Sequence, residues 1–418
     1  MKVQGIEVPT SGTLWAPFER FGRRLEGDRV IWMVTLFLSL LSLLAVYSAI
    51  SSLAFKDNAG SLKFLGKQAF MIALGWGVMV AVHRMNFRYF ARAAAVLFYV
   101  AAALLLLTWF MGENVNDARR WIRVPGVGLT FQPSDFAKVV LIAYVARAIN
   151  QRREQLQSFR HGVLPVLLPI ALICGLILPD NLSTAALLAT VCLGMLFVAG
   201  TPLRHMLLIG GFGVGALFGI YSLGKAAPEL LPRFSTWASR IEQFAGSEAA
   251  PEPEVGGAVI PATSSMEYQI ELAQVAIHRG GLLPHGPGTG ASRNFLPHPY
   301  SDMIFAFIVE EWGAVLGGLG LVMLYLILLY RSLRVAYRCK RFFGALLATG
   351  LSFMLVLQAM TNMAVAVRLF PTTGQPLPVV SYGGTSLLFT CLSIGIILAV
   401  SRSVTDPEGW ERAHGVPA

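Results

Sequence analysis

Charged side chains are scarce in this chain. Asp, Glu, Lys and Arg make up 13% of its 418 residues, against roughly a quarter in soluble globular domains. A water-covered globule of this length is therefore excluded. Cysteine is scarce as well. Cys174, Cys192 and Cys391 lie in apolar runs and Cys339 in a basic stretch, which gives neither a disulfide framework nor metal-ligand spacing. The short alternating strands of a membrane barrel are missing. So is any clear internal repeat or inverted half-to-half symmetry, which weighs against many transporter folds. No cleavable signal peptide is visible, because Met1–Arg29 is mixed polar and basic and the first apolar run is full length.

What is abundant is apolar sequence, at 55% of residues, arranged in runs long enough to span a bilayer. Spanning demands closed backbone hydrogen bonding, so the runs read as helices. The expected fold class is an all-α integral membrane protein with about ten transmembrane helices. They fall near Val30–Ile50, Phe64–Val82, Ala93–Met111, Pro133–Ile149, Val163–Leu178, Ser183–Gly200, Met206–Leu223, Met303–Tyr330, Phe343–Val367 and Ser386–Val400. A large extracytoplasmic loop separates the seventh from the eighth. The organisation is thus an N-terminal segment 1–29, helices one to seven in 30–223, the loop 224–301, helices eight to ten in 302–402, and a tail 403–418.

An even number of spans puts both termini on one side, and charge selects the side. Arg20, Arg23, Arg24 and Arg29 precede the first span, and alternate connections carry Arg84, Arg88 and Arg92, then Arg147, Arg152, Arg153 and Arg160, then Arg204, then Arg331, Arg334, Arg338, Lys340 and Arg341. Positive charge favours the cytoplasm, so both termini are expected there. The net charge of +10 comes from these short loops and from no basic domain, so nucleic acid is not an expected partner. Within the large loop, Leu231–Phe244 reads as an interfacial amphipathic helix, Glu248–Thr263 as a flexible excursion, and Met266–His278 as a helix.

The chemistry-bearing residues gather on the opposite side. Asp302 stands where a polar loop becomes a membrane helix, and a charge there is costly without a use. It is either a helix N-terminal carboxylate satisfying the dipole or a functional acid. Arg119 and Arg120, with Arg123 close by, break the positive-inside bias; they read equally as a headgroup anchor beside Trp121 or as a bidentate phosphate grip. In Gln132-Pro-Ser-Asp-Phe-Ala-Lys138, Pro133 opens a helix and Asp135 shares a face with Lys138. That is a capped start with a snorkelling lysine, or a cation oriented by a carboxylate. Pro179-Asp-Asn-Leu-Ser-Thr184 reads as a tight turn with a capping residue. Gln358 and Asn362 lie one turn apart and are expected to hydrogen-bond between helices. Between the last two spans, the Pro- and Gly-rich segment Arg368–Ser386 cannot stay helical. Broken backbone at membrane depth is tolerated only where protein buries it or a wet cavity receives it, so it is a site wall or a re-entrant turn.

Four of these segments together resemble the SEDS family, the FtsW/RodA/SpoVE group of bacterial cell-wall polymerases. Ala118-Arg-Arg-Trp-Ile122 is similar to the family's A-R-R-W-I. Gln132-Pro-Ser-Asp135 with Lys138 is similar to Q-P-S-E-x-x-K, with Asp in place of Glu. Phe295-Leu-Pro-His-Pro-Tyr-Ser-Asp-Met-Ile-Phe-Ala306 with Glu310-Glu-Trp-Gly313 resembles L-P-E-x-x-T-D-F-I-F-A-x-x-x-E-E-x-G. Pro371–Ser386 resembles P-x-T-G-x-P-L-P-F-x-S-Y-G-G-S-S. Four long motifs in order are far more specific than any one alone. The chain departs at His298, where the family has glutamate, and at an upstream basic residue that is absent or replaced by Arg293.

The resemblance implies polymerisation of lipid II into β-1,4 glycan strands outside the cytoplasmic membrane of a bacterium. It also implies a class B penicillin-binding protein transpeptidase and other divisome membrane proteins as partners. The Gly286–Gly290 and Arg293–Pro297 stretches stand nearer the family's division branch, which implies work at the septum. The expected catalytic base is Asp302. Substrate contacts are expected from Arg119, Arg120, Lys138, Arg293, Ser381, Gly383 and Gly384, with support from Asp135, Glu310, Gln358 and Asn362. Asp135 and Glu310 are the candidates for orienting Lys138 or touching a divalent cation such as Mg or Mn, which no motif fixes. The rival readings are a lipid II flippase, the elongation polymerase of the same family, and a non-catalytic scaffold.

Overall fold

The computed structural model describes residues 26–50, 60–111, 113–115, 118–123, 130–226, 266–292 and 301–405. Each expected span coincides with a helical segment. These are α1 Arg29–Ile50, α2 Gly60–His83, α3 Arg88–Met111, α4 Pro133–Gln151, α5 Leu164–Ile177, α6 Leu182–Val198 and α7 Leu203–Ala226. A π-helical turn, Phe159–Val163, leads into α5. α8 Met266–Gly280 lies in the long loop. The eighth span is one apolar run, Ile304–Arg338, made of α9 Ile304–Trp312, a π-helical stretch Gly313–Leu319, and α10 Gly320–Arg338. α11 Phe342–Ala366 and α12 Thr385–Thr405 complete the bundle.

Among the described residues, 8 helices are long and apolar enough to cross a membrane. Of the ten expected spans, α6 falls short with 17 residues. α4 carries Asp135, Lys138 and Arg147 within its length and sits deep in the protein, buried along most of its face. A helix shielded by its neighbours does not need the apolar surface of one facing lipid. The chain is a multi-pass membrane protein.

α11 is the hub. Its side chains are buried on almost every turn, and it packs against α4, α6, α10 and α12. α2 and α12 form the most extensive helix pair. Their close approach depends on Gly75, where a Cβ would stand 2.7 Å from the Cys391 sulfur, and on Gly395, where it would stand 2.9 Å from the Met79 carbonyl. α7 is the outlier: Leu207, Leu208, Phe212 and Phe218 are exposed, as suits a helix surrounded by lipid.

One end of the bundle is tied by charge. Asp28 accepts from the amides of Val30 and Ile31, capping α1, and pairs with Arg331. Arg402 pairs with Glu26, and His83 Nε2 lies 2.9 Å from the Glu26 carbonyl. The other end holds one surprise for an all-α expectation. The segment between α3 and α4 forms a small antiparallel sheet of β1 Glu113–Val115, β2 Ala118–Arg123 and β3 Thr130–Phe131, with β2 in the middle. Ile122 pairs with Phe131 and Arg123 with Thr130. Helix periodicity gives no sign of such short strands, whose middle member also packs against α3 and α4.

Candidate active site

The segment between α11 and α12 is the irregular piece that organises this end. It turns repeatedly, with Gly374 at φ 61° and Val379 at φ 69°. Glycine adopts that region freely. A β-branched residue there is strained by about 1–3 kcal/mol, which surrounding contacts must offset. Those contacts are visible. The Val380 carbonyl accepts from Ser42 Oγ of α1 at 2.8 Å, and that of Pro378 from the Tyr325 hydroxyl of α10 at 2.5 Å. The Pro376 carbonyl accepts from Gln358 Nε2 at 2.8 Å, and that of Gln375 from Asn362 Nδ2 at 2.7 Å. Four carbonyls of the broken segment are thus met by side chains from neighbouring helices. Gln358 makes the expected helix-to-helix bond, accepting from Lys138 of α4 at 3.3 Å, and both residues have a further purpose. Their amides hold broken backbone.

Asp302 is set against this scaffold. Asn362 Nδ2 also donates to the Asp302 carbonyl at 2.8 Å, so one amide group clamps Asp302 and Gln375 together. Ser381 Oγ donates to the Ser301 carbonyl at 2.8 Å while accepting from the Leu377 amide at 2.7 Å. The backbone leading into Asp302 is fixed from two sides. Its side chain lines a small cavity with Gln269, Met303, Asn362, Val365, Thr372, Thr373, Gly374 and Gln375. A Cβ at Gly374 would stand 3.7 Å from Asp302 Oδ2. Among the described lining residues Asp302 is the sole carboxylate, and no group of three or more His, Cys, Asp or Glu stands together among the described residues. A divalent cation there would take one carboxylate oxygen from Asp302 and neutral oxygens from neighbours such as Asn362, Gln375 and Thr372, and would draw its other ligands from water or substrate phosphates.

The remaining expected residues divide into three groups. Lys138 and Asp135 form an ion pair at 2.8 Å, each with about 6% of its side chain exposed. Lys138 also donates to Gln358 Oε1 at 3.3 Å. It is not part of the Asp302 cavity lining. Its charge meets Asp135 and the amide that supports Pro376, so it braces the segment from beneath. Glu310 is not a partner of Lys138 either. Its oxygens accept from the amides of Ala291 and Ser292 at 3.1–3.3 Å. Beside it, Glu311 accepts from Ser48 Oγ and from the amides of Gly288 and Gly290. The two carboxylates pin the glycine-rich loop to the break between α9 and the π-helical stretch. Gly383 and Gly384 form the turn into α12 and are half-buried. That turn touches the sheet, because Thr385 Oγ1 donates to the Thr130 carbonyl of β3 at 3.2 Å. The backbone of Arg119 and Arg120 runs in β2, the neighbouring strand. Their side chains, and Arg293, His298, Leu231–Phe244 and Glu248–Thr263, lie outside the described residues.

Two contributors escape a reading of the sequence. Gln269 of α8 lines the Asp302 cavity from a segment distant in sequence. Thr184 accepts at Oγ1 from Gln375 Nε2 at 2.5 Å, and its own amide donates to the capping Asn181 side chain at 3.1 Å. The cap was legible in the sequence. The tether from cap to broken segment was not, since nothing local in Thr184 points to a residue so far along the chain.

A family model described as "Cell cycle protein" and covering FtsW, RodA and SpoVE matches residues 28–406. A Trichlorobacter lovleyi protein named probable peptidoglycan glycosyltransferase FtsW is 33% identical over 386 residues, 91% of this chain and 95% of that protein. Stage V sporulation protein E of Bacillus subtilis is 30% identical over 387 residues, 91% of this chain and 98% of the other. Among solved structures, a chain from a peptidoglycan synthase complex that coordinates polymerization and crosslinking aligns with a TM-score of 0.71 at 26% identity. The alignment covers 90% of this chain and 98% of that one.

Proposed function

This chain belongs to the FtsW/RodA/SpoVE family, and we propose that it is a peptidoglycan glycosyltransferase that polymerises lipid II into β-1,4 glycan strands for septal wall synthesis. The observation that carries the reading is the placement of Asp302. A carboxylate lines a cavity at one end of a membrane bundle, its backbone clamped by Asn362 and Ser381. Fixed orientation is what a general base requires.

The chemistry follows from the substrate. One lipid II offers an anomeric carbon bearing an α-linked diphosphate, and another offers a sugar 4-hydroxyl. In a single displacement the hydroxyl oxygen attacks that carbon and inverts it. The C–O bond to the diphosphate breaks, and the diphosphate leaves with the bonding pair. The hydroxyl proton passes to the Asp302 carboxylate. A diphosphate departs without protonation, so one carboxylate suffices where inverting hydrolases use two. Charge on the leaving group calls for cations, and Arg119 and Arg120 are assigned that task from β2. Lys138, Asp135, Gln358 and Asn362 keep the wall in shape.

The basic residues at the end opposite Asp302 support cytoplasmic termini and an active site facing outward. The glycan product needs crosslinking, and the similar chain in the solved synthase complex supports a class B penicillin-binding protein transpeptidase as partner, alongside other divisome membrane proteins.

Purified protein supplied with lipid II in detergent tests the reading. Glycan strands resolved on a gel are expected. A protein that yields no polymer there, yet moves lipid II between leaflets of sealed vesicles, is a flippase and contradicts it.

A further inference from the structure

At the same end of the bundle as Asp302, the first turns of α2 present two lysines that the mechanism does not use. Lys63 and Lys67 are four residues apart, so they share a helix face, and both are exposed. Neither makes an ion pair among the described residues. An unpaired lysine at a membrane boundary is commonly a headgroup anchor. Three observations set Lys67 apart from that case.

Its location is tied to the catalytic wall. Lys67 Nζ stands 6.0 Å from the centre of the Tyr382 ring, and the Phe64 ring, one turn earlier on α2, lies 6.0 Å from the same ring. Tyr382 follows Ser381, whose hydroxyl holds the Ser301 carbonyl next to Asp302. The lysine thus borders the turn that fixes the catalytic acid.

Its register is locked. The next residue, Gln68, is fully buried, and its Nε2 donates to Ser42 Oγ at 2.9 Å. That same hydroxyl donates to the Val380 carbonyl at 2.8 Å. α2 is therefore pinned to the broken segment one residue away from Lys67, and the amine is presented at a fixed height beside the turn.

Its charge remains available. A separation of 6.0 Å from a ring centre is the outer limit of a cation–π contact, so among the described residues the ammonium keeps its three donors. The turn beside it is open among the described residues: none of their atoms comes within 4 Å of where a Cβ on Gly384 would stand. A compact point charge over an open turn suits a phosphate oxygen.

We propose that Lys67, backed by Lys63 one turn away, is a phosphate-binding arm of the substrate site and receives the diphosphate of the lipid-linked sugar. The proposal rests on the functional reading above and names a residue that reading does not require. The same ammonium chemistry would also take the phosphate of a bilayer phospholipid, and the experiment separates the two sources.

Full-length protein is reconstituted in phosphatidylcholine nanodiscs, and binding of undecaprenyl diphosphate is measured for the wild type, Lys67→Ala, Lys67→Arg and Asp302→Asn. Phosphatidylglycerol binding is measured in parallel. Removing a charge-assisted contact is expected to weaken diphosphate binding about tenfold in Lys67→Ala. Lys67→Arg returns it to within about twofold, since the charge is kept. Asp302→Asn leaves it unchanged. In polymerisation assays Lys67→Ala raises KM with kcat held, a split that a merely structural lysine would not give. Diphosphate binding equal to wild type in Lys67→Ala overturns the proposal. So does a loss confined to phosphatidylglycerol, which makes the lysine a headgroup anchor. Wild-type protein that binds the diphosphate but forms no glycan contradicts the functional reading instead, and the binding comparison still decides the role of Lys67.

Discussion

Asn362 holds Asp302 by its backbone, donating from Nδ2 to the Asp302 carbonyl at 2.8 Å while the same nitrogen reaches the Gln375 carbonyl at 2.7 Å. A single amide on the central helix thereby joins the catalytic loop to the broken segment. Replacing it with alanine strands two carbonyls in a buried setting, at a cost of about 1–3 kcal/mol. Asn362→Ala is expected to lower the thermal midpoint and reduce kcat, with KM little changed because the residue acts through Asp302 and not on substrate. Calorimetry in detergent and polymerisation kinetics check both. A variant with wild-type kcat would mean that the clamp does not set the geometry of the acid.

Lys138 and Asp135 are buried together, so either one alone becomes an uncompensated charge. Lys138→Met is expected to destabilise by about 3–5 kcal/mol. The double variant Lys138→Met, Asp135→Leu should recover most of that stability, since removing both charges is far cheaper than removing one. Gln358 still loses its Lys138 partner, so the double variant should fold yet polymerise slowly. Full activity in the double variant would reduce the pair to packing.

Glu311 is 1% exposed and gathers Ser48 and two glycine amides of the 286–290 turn. Glu311→Ala removes a charged acceptor from those donors, and a loss of about 2 kcal/mol or more is expected. Limited proteolysis is the direct measure. Cleavage between Gly286 and Ser292 should accelerate in Glu311→Ala and stay near wild type after a substitution at exposed Thr289. Equal cleavage rates would show that the loop is held by other contacts.

Much of this was legible in the sequence, for identifiable reasons. Apolar runs locate helices because the backbone has no other way to cross lipid, so helices stand at all ten expected segments, eight of them long and apolar enough to cross. The break at Pro371–Pro378 was equally legible, since proline and glycine at that depth demand a special environment. What the sequence could not supply was the identity of the partners. Gln358 and Asn362 carry the helical spacing of an interhelical pair, and Gln358 does bond Lys138 of α4, but their amide nitrogens run to carbonyls of an irregular segment that has no period to read. Lys138 shows its i,i+3 acid plainly, but nothing local tells a buried brace from an exposed phosphate ligand. The three-strand sheet around Arg119 was invisible for a similar reason: pairings of two to six residues leave no pattern above the surrounding loop.

The central claim concerns one proton. Polymerisation by purified Asp302→Asn protein, in the presence of lipid II, measures it most directly, because the amide keeps the side chain's size and loses its ability to take the hydroxyl proton. The expected result is a rate lower by about 10²–10⁴-fold, with thermal midpoint and undecaprenyl diphosphate binding like wild type. Glycan strands formed at the wild-type rate by a well-folded Asp302→Asn protein would contradict the account.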